Sequence, residues 1–258
     1  MKGIIWNMNY DALLITVTEI GFQLLKNGAE TYRVEDSVTH VLKAYNDDIK
    51  DINVFAIPTS LIVSFTTKDN ITHTKTKRVL NRLQNIDRIV RINSLCRYIC
   101  KNKPSIDYID EQLQIIENLK RYPFYLELAA NSMAASGFTI FYGGGLIEAI
   151  VAVFIGALLK YTNTGMKKFK LNSFTGITIN SFLIAFLAYT AFRLGITRQY
   201  DSVIIGCFML LVPGVAITNA ARDFIAGDVL SGTIRISEAI LVATSIALGS
   251  GIALSIFR

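Results

Sequence analysis

Apolar runs long enough to cross a bilayer fill the second half of the chain, and they constrain the fold more than any other feature. Residues 1–121 hold most of the Lys, Arg, Asp and Glu, whereas residues 122–258 contain long stretches without charge. With 52% hydrophobic residues and a mean hydropathy of +0.41, the chain is too apolar for a typical soluble domain of its length. We therefore predict an α-helical membrane protein in which a small α+β cytoplasmic domain, residues 1–121, precedes a transmembrane domain, residues 122–258.

Five transmembrane helices are the most economical division of the second part, since about 20 apolar residues span the hydrocarbon core. The predicted spans are residues 124–141, 144–161, 171–192, 200–220 and 234–256. Several of these segments are short, or are interrupted by glycine and polar residues. Such segments are more typical of transporters than of simple membrane anchors.

The distribution of basic residues predicts the orientation of these spans. Four lysines lie between residues 160 and 170, flanked by two apolar runs, which is the pattern of a cytoplasmic loop. The amino-terminal part is basic and belongs on the same side. Arg193 and Arg198 fall on the opposite side, but they are fewer than the four lysines. We expect a multi-pass protein of the cell membrane with a cytoplasmic amino-terminal domain and an external carboxyl end.

Composition disfavours several other classes of function. The formal charge of +6 accompanies no basic patch interleaved with aromatic residues, so we predict no nucleic-acid partner. Cys96 and Cys100 have helical spacing, yet neither of the two histidines neighbours them, so we expect no metal site. No phosphate-binding glycine loop is visible, and we predict neither ATP nor another cofactor.

The amino-terminal part reads as helices around a small set of strands. Residues 11–27 and 28–45 show helical periodicity, with Asn27-Gly28 as a helix stop between them. Residues 53–79 are rich in Val, Ile, Phe and Thr and predict strands joined by a hairpin. Asp87 and Ser105 are candidate caps of two further helices.

A polar cluster lies in the second of these helices, within the motif GAETYRVEDSV at residues 28–38. Its members are Glu30, Arg33, Glu35 and Asp36. The spacing of three lets Arg33 pair with the carboxylate of Glu30 or of Asp36 on one helical face. Such a face is either a solvated surface of weak ion pairs or a functional cluster directed at the membrane domain, and the spacing does not distinguish the two.

Residues 211–232 place a helix break and charged side chains at the end of an apolar run. The groups concerned are Pro213, Gly214, Asn219, Arg222, Asp223 and Asp228. Each such group costs free energy in hydrocarbon, so an ordinary lipid-facing span is excluded. Arg222 could bind a substrate carboxylate, or Asp223 could hold it until a substrate displaces it. The segment from 221 to 233 could be a loop, an interfacial helix or a re-entrant element.

Two carboxylates lie inside other predicted spans. Glu148 follows a run of three glycines closely enough to snorkel to the membrane surface, and Glu238 lies early in the last span. Asn180 and Asn219 also interrupt apolar runs, where interhelical hydrogen bonding and a transport role are both consistent with the pattern. We include Glu148 and Glu238 among the candidate substrate-binding residues and predict no catalytic residue.

Three separated motifs resemble the threonine/serine exporter family, specifically its amino-terminal component. They are GAETYRVEDSV at 28–38, IPTSLIVS at 57–64 and LVPGVAITNAARDFIAGDVLSGTIRISEA at 211–239. The resemblance extends over nearly the whole chain, in the same order of a soluble domain and five spans. It implies export of threonine and serine, or of small dicarboxylates such as succinate.

The resemblance also implies partners. Members of the family carry a second membrane half on the same chain or pair with a separate carboxyl-half subunit, and this chain resembles the split form. We therefore expect a small carboxylate solute, a second exporter subunit and the lipid bilayer as partners, in a hetero- or homo-oligomer. A membrane-bound hydrolase and a membrane-anchored solute sensor are the alternative functions.

Overall fold

Helices dominate the protein. The computed structural model describes residues 9–45, 49–80, 82–119, 122–168 and 171–257. Those residues form ten helices and three strands, which follow one another as α1 (Tyr10–Lys26), α2 (Thr31–Tyr45), β1 (Ile49–Ile57), β2 (Ser60–Thr67), β3 (Thr72–Arg78), α3 (Ile86–Asn102), α4 (Ile106–Glu117), α5 (Phe124–Phe141), α6 (Leu146–Lys168), α7 (Ser173–Arg193), α8 (Tyr200–Phe208), α9 (Gly214–Ile225) and α10 (Val229–Ser255).

The chain divides into two compact units. The first contains residues 1–120 together with 218–235, and the second contains residues 121–217 and 236–258. Residues 218–225 of α9 and residues 229–235 of α10 therefore pack with the amino-terminal residues. The division into a cytoplasmic and a transmembrane domain at residues 121 and 122 stays a prediction.

The first unit is a small α+β structure around one apolar core. Its antiparallel sheet has the order β1-β2-β3, and Val63 and Phe65 of β2 point into the core together with Leu13 and Ile20 of α1. The polar side chains of β3 leave that strand exposed or half-buried along its length. Asn85 caps α3 through its side chain, two residues before the predicted cap Asp87, and Ser105 caps α4.

The turn between α1 and α2 is fixed by backbone hydrogen bonds. Gly28 has φ +94°, the left-handed conformation that glycine adopts after the end of a helix. Its N–H donates to the carbonyl of Leu25 at 3.1 Å, and that of Ala29 donates to the carbonyl of Leu24 at 3.1 Å. This pair of bonds is the Schellman arrangement. It leaves the carbonyls of Gly28 and Ala29 free to accept hydrogen bonds from elsewhere.

Helices of the second unit approach one another closely at glycines. A Cβ atom at Gly206 of α8 would collide with the backbone of Thr139 of α5, and one at Gly156 of α6 would lie 2.9 Å from Cβ of Ala135. Gly249 of α10 is equally close to Thr178 and its neighbours in α7. Small residues permit such contacts between membrane helices, where packing replaces the hydrophobic effect as the main attraction.

Three helices in the described part of the chain are long and apolar enough to cross a membrane. They comprise Leu146–Met166, Ser173–Arg193 and Val229–Ser255. Five spans are therefore not confirmed. The predicted fourth span, 200–220, is divided into α8 and α9, because Pro213 has no N–H to continue a helical ladder. The predicted first span coincides with α5, but Glu127, Asn131 and Ser132 lower its apolarity.

The predicted lysine loop differs from the structure as well. Helix α6 continues through Lys168, so the part of that segment up to Lys168 is helical. Lys160 forms an ion pair with Glu127 of α5 and is thereby tied to a neighbouring helix. Lys170 and the terminal Arg258 lie outside the described residues.

Candidate functional site

Side chains from residues 219–235 converge on the α1–α2 turn, residues 28–31, within the first unit. Asn219 donates from Nδ2 to the carbonyl of Gly28 at 3.0 Å. Arg235 donates from Nη2 to the carbonyl of Ala29 at 2.8 Å. The two carbonyls that the Schellman turn leaves free are thus satisfied by residues about 200 positions away along the chain.

Asp223 is the most deeply buried of these groups and caps α2. Its Oδ1 accepts the backbone N–H of Thr31 at 3.2 Å, and its Oδ2 accepts the Thr31 hydroxyl at 3.4 Å. A carboxylate at this position satisfies an N–H that the helix cannot pair internally and interacts favourably with the helix dipole. The side chain is 0% exposed, so Asp223 reaches solvent only if this contact opens.

Arg235 compensates the charge of Asp223. Its Nε lies 2.8 Å from Oδ2 of Asp223, and its side chain is 8% exposed. A buried charge of this kind persists only when it is paired and its hydrogen bonds are satisfied. The sequence interpretation did not select Arg235, although a cation inside the last apolar run, in TIRISEA, was the signal that could have identified it.

Arg222 pairs with Glu30 and not with Asp223, the carboxylate that the sequence suggested as its partner. Its Nη1 donates to Oε1 of Glu30, in a salt bridge where the arginine side chain is 52% exposed and that of Glu30 is 9% exposed. Arg33 approaches the other oxygen of Glu30 at 3.5 Å. Asp223 is occupied by Arg235, so Glu30 is the carboxylate that holds Arg222. We call Glu30, Arg222, Asp223 and Arg235 the ion-pair cluster.

The surroundings of Glu30 favour its charged form. Burial alone would raise the pKa of its carboxyl group, but a backbone N–H bond and the cations of Arg222 and Arg33 outweigh burial and lower it. Glu30 therefore stays anionic near neutral pH. Its two guanidinium partners differ in that Arg222 comes from α9 and Arg33 from α2 itself.

Two other carboxyl groups of the first unit have raised pKa values. Glu35 accepts the backbone N–H of Ala56 in β1 at 2.8 Å, and burial, together with the charges of Asp228 and Asp223, raises its pKa. Burial and the charge of Asp223 likewise raise the pKa of Asp228. One oxygen of Asp228, Oδ2, is buried without a hydrogen-bond partner in the described chain. Protonation of Asp228 or Glu35 would relieve this crowding of negative charge.

The remaining candidates occupy other places. Asp36 is exposed and lies 3.1 Å from Nδ1 of His40 on the same helix. In the second unit, Glu148 accepts the N–H of Gly145 at 3.1 Å and that of Arg198 at 2.8 Å. It occupies the third position of α6 and reaches back to the residue that precedes the helix, as the glutamate of a capping box does.

The other three candidates also belong to the second unit. Pro213 and Gly214 lie where α8 has ended and α9 begins, and Glu238 is half-buried in α10. No group of three or more His, Cys, Asp or Glu side chains that could hold a metal ion occurs among the residues that the structure describes.

Comparison with known proteins identifies the family. The model of the family described as "Putative threonine/serine exporter" (ThrE) matches residues 16–257. The chain belongs to the ThrE family. The resemblance seen in the sequence motifs is thereby confirmed.

Relatives of this ThrE protein carry transporter names. A protein of Klebsiella aerogenes named probable succinate transporter subunit YjjP is 24% identical over 237 residues, which are 91% of this chain and 90% of the relative. A protein of Escherichia coli K12 with the same name is 22% identical over 242 residues, 93% of this chain and 92% of the relative. No solved structure matches the chain.

Family membership and the apolar helices together indicate a membrane transport protein. Both relatives are named as subunits of a transporter.

Proposed function

We propose that this ThrE protein is one subunit of a secondary exporter for small carboxylate metabolites, either threonine and serine or dicarboxylates such as succinate. In this proposal five spans cross the cell membrane, the amino-terminal domain is cytoplasmic, and a separate membrane subunit supplies the carboxyl half. An ion gradient drives export. The family description and the names of the relatives support the class of solute.

The observation that carries the proposal is the exposure of Arg222. Every substrate of this class presents a carboxylate, and a guanidinium binds a carboxylate through two parallel hydrogen bonds. Arg235 is buried and donates to both Asp223 and Ala29, so it has little capacity for a solute. Arg222 is half exposed and already binds a carboxylate, that of Glu30.

Glu30 then acts as an internal competitor of the solute. A solute carboxylate that binds Arg222 releases Glu30, which keeps Arg33 as its remaining cation. Glu30 is anchored immediately before α2 and Arg222 lies in α9. Exchange of the carboxylate therefore loosens one of the contacts between the α1–α2 turn and α9. Glu30, Arg33, Glu35 and Asp36 form the cytoplasmic cluster that recruits the solute and gates its entry.

The other candidates have supporting roles in this proposal. Asn219 donates hydrogen bonds and Asp223 holds Arg235 in place, while Pro213 and Gly214 provide the helix break that allows α9 to move separately from α8. Glu148 and Glu238 contribute polar groups within the membrane-crossing part. Asp228 tunes or relays charge, because its raised pKa and its buried Oδ2, which has no hydrogen-bond partner among the described residues, favour proton uptake.

Efflux of labelled solute tests the role of Arg222. Cells preloaded with labelled threonine, serine or succinate would express this chain with a candidate partner subunit. We expect Arg222→Gln to lower the initial efflux rate at least about tenfold, as the loss of a charge-assisted contact of about 1.5–3 kcal/mol predicts. The matched control is Arg91→Gln, since the Arg91 side chain is also 52% exposed and is paired with Asp87 on the surface of α3.

The two variants discriminate between outcomes. Equal efflux by Arg222→Gln and the unmodified chain, at equal amounts in the membrane, would contradict the role of Arg222. Equal loss in both variants would indicate a general effect of removing positive charge.

Expression without the partner tests the subunit assignment. Efflux that requires both proteins supports a two-subunit exporter and identifies its solute. No efflux of any of the three solutes in either condition would contradict the exporter and favour a solute sensor.

A further inference from the structure

An open cavity of about 790 Å³ lies between α2 and α3 in the first unit. Arg33, Asp36 and His40 line it from α2, and Arg97 and Lys101 line it from α3. Its volume falls in the range of sites that bind small molecules, roughly 300–1,000 Å³. Arg33 and Asp36 belong to the cytoplasmic cluster described above, whereas the α3 residues belong neither to that cluster nor to the ion-pair cluster.

Positive charge dominates the cavity walls. Arg33, Arg97 and Lys101 are basic side chains, and Asp36 is the single carboxylate among the described lining residues. Asp36 is 3.1 Å from His40 Nδ1. Arg97 donates to the hydroxyl of Ser94 at 2.9 Å, and in the described chain no carboxylate lies within ion-pair distance of Arg97 or Lys101.

The cysteines of the cavity do not offset this charge. Burial raises the pKa of the Cys96 thiol to about 12, and the neighbouring Cys100 adds to the effect. Burial also raises the pKa of Cys100. Both groups are therefore neutral thiols near neutral pH, and they add no negative charge to the cavity.

We propose that this cavity binds a small organic polyanion with at least two carboxylate or phosphate groups. One anionic group would bind Arg33 on the α2 side, and the other would bind Arg97 and Lys101 on the α3 side. Charge-assisted bonds from arginine suit both kinds of group. A zwitterionic amino acid would bring its ammonium group among three cations, so the cavity discriminates against threonine and serine.

Arg33 connects the cavity to the ion-pair cluster. The guanidinium that lines the cavity is also 3.5 Å from the carboxylate of Glu30, the group that holds Arg222. A polyanion that draws Arg33 toward α3 leaves Arg222 as the remaining guanidinium partner of Glu30. Binding at the cavity would therefore strengthen the pair between Glu30 and Arg222. This step rests on the proposed function, in which Arg222 binds the exported solute, and it makes the cavity an effector site beside Arg222.

Isothermal titration calorimetry of the full-length protein in detergent tests the site, with pyrophosphate, citrate and threonine as separate probes. We expect saturable binding of pyrophosphate or citrate with a Kd below about 1 mM, weakening as NaCl is raised, and no binding of threonine at this site. Binding of citrate but not pyrophosphate assigns the site to carboxylates, and the reverse assigns it to phosphate-bearing metabolites. Both results support the proposal.

Substitutions locate the binding. Arg97→Gln and Lys101→Gln, tested separately, should each raise the Kd at least about fivefold, whereas Arg91→Gln on another face of α3 should leave it within about twofold. All three side chains are exposed, so the variants should elute as the unmodified protein does on size exclusion. Absence of binding by both polyanions, or equal weakening in all three variants, would overturn the proposal. Because binding is measured without transport, this result is independent of the exporter function.

Discussion

At the scale of single residues, burial separates two kinds of ion pair in one cluster. Asp223 and Arg235 are almost fully inaccessible, and they serve to cap α2 and satisfy the α1–α2 turn. Arg222 is half exposed and shares Glu30 with Arg33, so its partner can be exchanged at lower cost. Desolvation sets this difference, because an uncompensated buried charge costs far more than an exposed one.

Removing the charge of Asp223 should destabilise the protein strongly. In Asp223→Asn the guanidinium of Arg235 stays buried without a counter-charge, and we expect a loss of about 3–5 kcal/mol in the free energy of unfolding. Denaturant titration in mixed micelles measures it. The control Asp87→Asn breaks an exposed pair with Arg91 and should cost less than about 1 kcal/mol. A double variant, Asp223→Asn with Arg235→Gln, should lose less than the single variant; a larger loss would refute the pairing argument.

Neutralising Glu35 should change how stability depends on pH. Burial and the neighbouring carboxylates raise the Glu35 pKa in the folded protein, so folded Glu35 binds its proton more tightly than unfolded Glu35 does. The stabilisation that protonated Glu35 gives to the folded protein is complete below the pKa that Glu35 has in the unfolded chain. It is lost as the pH rises through the pKa that Glu35 has in the folded protein. When the pH is raised from about 4 to about 7, we therefore expect the Glu35→Gln variant to lose less stability than the unmodified chain loses.

Thermal unfolding at both pH values measures the effect. The control is Glu111→Gln, because Glu111 is exposed on α4 and its replacement should leave the pH profile unchanged. Identical profiles for Glu35→Gln and the unmodified chain would show that the environment of Glu35 does not favour its protonated form.

At the scale of elements, the helix contacts of the second unit depend on the positions of glycines, which have no side chain to keep helices apart. Gly206 lets α8 approach the backbone of α5 at Thr139, whereas no atom lies within 4 Å of a Cβ built at Gly137 of α5. The two residues are both helical glycines. Only at Gly206 does a neighbouring helix leave no room for a side chain, and the sequence alone does not show this difference.

Alanine at these two positions should act in opposite directions. Gly206→Ala forces α5 and α8 apart, and we expect it to destabilise the protein by about 1–3 kcal/mol. Gly137→Ala meets no neighbour and should be neutral or stabilise the helix by up to about 1 kcal/mol. Thermal unfolding in detergent compares them. If Gly206→Ala is as stable as Gly137→Ala, the close approach of α5 and α8 does not contribute to stability.

At the scale of the whole molecule, the number of membrane crossings depends on the segments that are less apolar or broken. Three helices of the described chain are long and apolar enough by themselves. Of the other two predicted spans, one coincides with α5, whose apolarity is lowered by a few polar residues, and the other is divided into α8 and α9. A broken helix can cross a membrane only where protein or water satisfies its free backbone groups.

Fusions at the carboxyl end test the five-span arrangement. Five crossings from a cytoplasmic amino-terminal domain place the carboxyl end outside, so an alkaline phosphatase fusion should be active and a green fluorescent protein fusion should be dark. A second pair of fusions after residue 119 should give the reverse result, since we place that residue in the cytoplasm. Fluorescence from both positions would indicate an even number of crossings and would refute the arrangement.

The sequence by itself determined the class of protein and much of its local structure. Apolar runs of sufficient length predicted membrane helices, Asn27-Gly28 predicted a helix stop, and the runs of Val, Ile and Thr predicted strands, because these signals depend on neighbouring residues alone. Three motifs were specific enough to indicate the family. The division of residues 200–220 into two helices could also have been predicted from Pro213, but the apolar run around that proline suggested one continuous span.

Only the tertiary structure decided which charges meet. Arg222 has a carboxylate beside it in the sequence, at Asp223, yet it pairs with Glu30, which is 192 residues away. Asp223 pairs instead with Arg235 and with the N-terminus of α2. Helical neighbours at spacings of three and four can be read from a sequence. The pairing of these four residues depends on how α9 and α10 pack against the α1–α2 turn, and no local pattern encodes that packing.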